Sequence, residues 1–116
     1  GAGVDVFVWK LADKGIAGSP ATDTVADFTE SATDKLNISD LLQGENSGNL
    51  TNYLHFTYDS GTNATTVHIS SSGGYSSGFS NSLTDQTIVL SNYNPGSTSD
   101  ATIISNLIAA NKLITD

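Results

Sequence analysis

The 116-residue sequence has no cysteine and no arginine, only two prolines, and 14% charged residues, well under the average of roughly 25%. Without cysteine there are no disulfides, no thiolate metal sites and no thiol catalysis. Four lysines against 12 acids leave a formal net charge of −8. No basic cluster exists to contact several phosphates, so nucleic-acid binding and attraction to anionic membrane surfaces are both disfavoured. No apolar run approaches the ~20 residues of a membrane span, and no membrane insertion is expected. Neither an H-E-x-x-H helix nor a G-x-S-x-G elbow occurs, and the chain reads as non-enzymatic.

What remains is 37% hydrophobic with 11 glycines, which suits one globular domain over residues 1–116. Serine, threonine and asparagine supply much of the polarity and favour strands and turns. Alternation predicts a strand over Val4–Lys10, a second over Asp23–Phe28 and a short third over Leu36–Ile38. Ser39 is expected to cap a helical turn near 39–43 that Gly44 ends. Residues 53–70 read as a hairpin in which Leu54, Phe56 and Tyr58 alternate with His55 and Thr57. The Ser/Gly-rich stretch 71–82 reads as a mobile loop with two aromatic pegs, Tyr75 and Phe79. Gln86–Leu90 is a further strand. Ser99 or Asp100 then caps an amphipathic helix near 100–110, with Ile103, Ile104, Leu107 and Ile108 on one face. Leu113 and Ile114 make a short terminal strand.

The opening "GAGVDVFV" has the spacing of the nonapeptide G-G-x-G-x-D-x-U-x without its first glycine. After it come "DTVADF", "DKLNISDLLQGE", the hairpin, "DQTIVL", the helix and the terminus "KLITD". This order resembles the type I secretion target domain that ends large bacterial repeats-in-toxin (RTX) adhesins. More distantly, it is similar to the segment closing the β-roll of serralysin-type proteases. The resemblance implies a mainly β, sandwich- or jelly-roll-like domain continuing from the end of a calcium-binding β-roll. Residues 1–9 would then be the remnant of the last repeat, with the other repeats upstream.

The same resemblance implies calcium, weakly or partly bound, against Gly1, Gly3 and Asp5, and around Asp23 and Asp27. Read without it, Asp23 is a turn residue and Asp27 a solvent-facing acid. An uncleaved secretion signal would lie in 100–116, built on Ile103, Ile104, Leu107, Ile108, Leu113 and Ile114 and recognised by an ATP-driven type I exporter. The protein would be secreted to the outside or surface of a Gram-negative bacterium. Two other readings stand beside this one. His55 and His68, opposite each other if Phe56 pairs with Val67, suggest a metal pair but read better as surface polar residues. Trp9, Tyr53, Tyr58, Tyr75, Phe79 and Tyr93 would suit a carbohydrate- or surface-binding module.

Overall fold

The computed structural model describes residues 6–10, 15–26, 28, 34–44, 49–96 and 98–115. Within them, seven short strands form two sheets, accompanied by one α-helix. The strands are β1 (Val6–Val8), β2 (Ala21–Val25), β3 (Lys35–Asn37), β4 (Leu54–Asp59), β5 (Ala64–Ile69), β6 (Gln86–Ser91) and β7 (Leu113–Ile114). The helix, α1, spans Asp100–Ala109. One sheet has the order β1-β3-β7 and the other β2-β6-β5-β4. The first is parallel throughout, and β2 also runs parallel to β6, whereas β4, β5 and β6 are antiparallel.

The hairpin β4–β5 follows its alternation. Leu54, Phe56, Thr65, Val67 and Ile69 are buried, and His55 pairs with His68 and Phe56 with Val67. Its loop is set locally: the Asp59 carboxylate accepts the Gly61 N–H at 2.9 Å, and Asn63 adopts the left-handed conformation that asparagine tolerates. β6 lies between β5 and β2, so burial there is nearly continuous. Val25, Leu54, Ile69, Ile88 and Leu90 of the larger sheet meet Leu36 of the smaller one and Ile103 and Leu107 of α1 in one core, with Phe28 at zero exposure.

Several sequence expectations need correction. β2 runs over 21–25, not 23–28. It begins early because the Ala21 N–H bonds the Asp85 carbonyl, and a turn at Ala26 ends it before Phe28 bonds Ser91. β3 is displaced by one residue, to 35–37. Residues 39–43 form turns and no helix: the Leu41 N–H bonds Ile38 O, and Asn37 closes the turn by accepting both the N–H and the hydroxyl of Ser39. The 71–82 stretch holds two 3₁₀ turns, Gly74–Ser77 and Asn81–Leu83. Tyr75 is buried there, with its hydroxyl against Thr84 Oγ1.

α1 starts as expected, with Ser99 Oγ accepting the Thr102 N–H at 3.3 Å. It stops in a Schellman motif with left-handed Asn111, where Lys112 N–H bonds Leu107 O and Asn111 N–H bonds Ile108 O. Ile103, Ile104 and Leu107 are buried, but Ile108 is 40% exposed. At 3.6 residues per turn it sits about 90° from the centre of the buried stripe. No helix among the described residues is long and apolar enough to cross a membrane.

Candidate functional site

Three places in the fold hold the residues that the sequence singled out. The first is an open cleft of about 450 Å³ between strands β1 and β2, each at the edge of its own sheet. Phe7, Val8 and Trp9 line one side, Asp23, Thr24 and Val25 the other. β1 turns Phe7 and Trp9 inward and leaves Val6 and Val8 about half exposed. Asp23 ties the two sheets together: its Oδ2 accepts the Trp9 indole N–H at 2.9 Å and a Gln86 side-chain N–H at 3.0 Å.

Of the five residues considered for calcium, Asp23 alone falls within the described residues; Gly1, Gly3, Asp5 and Asp27 lie outside them. With Oδ2 holding two N–H donors, Asp23 has one oxygen left for a further partner, whereas calcium takes six to eight. Among the described residues, no three His, Asp or Glu side chains converge as a metal-binding group.

The second place is the C-terminal segment. Ile103, Ile104 and Leu107 pack into the core, and β7 completes the parallel sheet, with Leu113 opposite Leu36 and Ile114 opposite Asn37. Lys112 is buried between them, its Nζ 5.0 Å from the centre of the Phe28 ring, a cation–π contact. The side chains proposed for recognition are thus largely structural side chains as well. α1 presents Ser105, Asn106, Ile108 and Ala109 to solvent.

The third place joins hairpin, loop and helix. His55 and His68 face each other with ring centres 5.8 Å apart, and Phe79 roofs both. It stacks on His55 at 4.2 Å and 20° and stands edge-on to His68 at 4.8 Å and 61°. Asp100, the first residue of α1, accepts the Phe56 N–H on Oδ1 at 2.9 Å, and its Oδ2 is 2.7 Å from His55 Nδ1. His68 Nε2 lies 3.0 Å from Thr57 Oγ1, while its Nδ1 is buried without a partner. Burial, then the neighbouring His55, push the His68 pKa below its usual 6.5, while Asp100 acts in the opposite direction.

The surface reading of the histidine pair is therefore corrected: both rings are half-buried under Phe79. Alternation pairs the two histidines correctly. It carries no signal for Phe79, which comes from an aperiodic stretch, or for Asp100, whose cap position says nothing of its reach to β4. The aromatic patch is dispersed in the same way. Trp9, Tyr53, Tyr75 and Tyr93 are buried, leaving Tyr58 and Phe79 partly exposed at 38% and 37%. Comparison of the chain with protein-family models, curated proteins and solved structures found no match to any of them.

Proposed function

We propose that this is the C-terminal domain of a secreted RTX adhesin, a sandwich-like unit that caps a calcium-binding β-roll and carries an uncleaved type I secretion signal within 100–116. The observation that carries the reading is the β1 edge. β1, β3 and β7 are two- or three-residue parallel strands, and β1 pairs on one side only among the described residues. In the sequence its exposed valines follow directly on the glycine- and aspartate-bearing motif of residues 1–5. A stack of short parallel strands arriving from upstream would extend that ladder in register.

The burial of α1 and β7 constrains how an exporter would use them. Ile103, Leu107 and Leu113 are accessible only before the domain closes, so recognition precedes folding. A net charge of −8 slows collapse where no cation neutralises it. Outside the cell, millimolar calcium at the upstream turns would favour the folded form. The partners on this reading are the ATP-driven exporter and the upstream repeats, and no nucleic acid.

The test is export of a reporter fused to residues 1–116, with and without 100–116, in cells carrying a matching type I exporter. Export of the longer fusion alone supports the assignment. Retention of both, while the exporter still handles its own substrate, refutes it.

A further inference from the structure

The cleft between β1 and β2 has a chemistry of its own, independent of any role in export. Asp23 is exposed, yet its carboxylate is fixed in place by two neutral donors, Trp9 Nε1 and Gln86 Nε2. Neither donor neutralises the charge, and no ammonium pairs with Asp23 among the described residues. The carboxylate borders a cleft walled by Phe7, Trp9 and Val25, with Phe7 and Trp9 ring centres 6.5 Å apart.

From this we infer that the β1–β2 cleft is a binding site for a small organic cation, an alkylammonium group such as a lysine side chain or a free amine. The ammonium head would meet Asp23 Oδ1 while its alkyl stem lies along Phe7 and Val8. Aromatic walls beside a carboxylate favour an organic cation, because ring quadrupole and formal charge both attract positive charge. The cleft falls within the usual size of small-ligand sites. Anions are repelled by Asp23, and among the described residues a bare divalent ion finds too few oxygens and a sugar few polar side chains besides Asp23 and Thr24.

Trp9 is the sole tryptophan, so its emission and its indole N–H resonance report on this cleft alone. n-Butylammonium is expected to move both saturably in the full chain, and n-butanol to move neither saturably. Asp23→Asn keeps an oxygen acceptor for Trp9 and Gln86 and removes the charge, so it should weaken n-butylammonium binding about tenfold. If that variant does not fold, wild-type binding measured against rising salt serves instead, and it should weaken as screening grows. The assignment is overturned if n-butylammonium gives no saturable change, if Asp23→Asn binds it as tightly as wild type, or if its binding is indifferent to salt. It is equally overturned if calcium or methyl glucoside moves the Trp9 signals where n-butylammonium does not.

Discussion

Replacing Asp100 by alanine tests how the helix is fastened to the hairpin. β4 is an outer strand, and its Phe56 N–H is a donor that would otherwise face solvent at the sheet edge. Asp100 closes it with one oxygen and holds His55 with the other, at 2.9 and 2.7 Å. Hydrogen bonds to a charged group contribute about 1.5–3 kcal/mol each. Both side chains keep about a quarter of their surface in water, 28% for His55 and 24% for Asp100, so the lower end of that range applies. Loss of a carboxylate from the first helical turn adds roughly 0.3–1 kcal/mol.

Some of the exposed edge donor is recovered by water, and the expected net loss is about 2–3 kcal/mol. For a domain near this size that lowers the melting temperature by about 10 °C. Urea unfolding followed by circular dichroism should show an earlier midpoint at an unchanged slope. Asp100→Asn retains the acceptor for Phe56 and should recover about half of the loss. A double-mutant cycle with His55→Ala should return a coupling near ~1 kcal/mol. The reasoning is refuted if Asp100→Ala unfolds within about 0.5 kcal/mol of wild type, the ordinary range for an uninvolved surface site.

Three other outcomes are expected from the same geometry. His68 titrates below its ordinary value of 6.5, so the fold favours the neutral ring. Its stability contribution is complete above that value and is lost as pH falls through the folded-state pKa; His68→Gln should flatten the acid limb of a stability–pH curve, and an unchanged limb would remove His68 from the account. Phe79→Ala uncovers both histidines, so the His68 pKa should rise toward 6.5 in an NMR titration, and a value equal to wild type would show that the roof contributes no desolvation. Leu107→Ala, at 1% exposure, should cost about 2–5 kcal/mol, whereas Ile108→Ala, at 40%, should cost under ~1 kcal/mol; equal costs would contradict the observed helix rotation.

The parts of the fold legible in the sequence are those governed by short-range rules. The hairpin register follows from period-two alternation over Leu54–Ile69. The start of α1 follows from the serine cap at 99. The misread parts turn on choices that local composition leaves open or on partners distant in sequence. Asn37 displaces Ser39 in the turn because its own side chain reaches two residues onward, and local composition admits either arrangement. Ile108 fits a four-residue apolar pattern, and only the direction of the core decides that it stays outside. Asp23 reads as a turn residue or a cation ligand until Trp9, 14 residues before it, and Gln86, 63 residues after it, are seen to hold its Oδ2. The acid turn that carries the family resemblance lies outside the described residues, so the calcium expectation rests on the sequence pattern.

The sheet edges are treated differently, and the difference bears on function. Unpaired strand edges invite further pairing unless they are short, polar or covered. At β4, Asp100 occupies the Phe56 donor. At β2, Thr22, Asp23 and Thr24 are all exposed and polar. β7 is only two residues long. β1 is short, but its solvent-facing side chains are valines at 49% and 51% exposure, with no charged residue among Val6–Val8 to discourage a neighbour. Among the described residues, one edge is thus guarded by a carboxylate and another by polar side chains, while the β1 edge is apolar. On the proposed reading, the parallel direction of that sheet suits a parallel strand, supplied by upstream repeats, as the next addition.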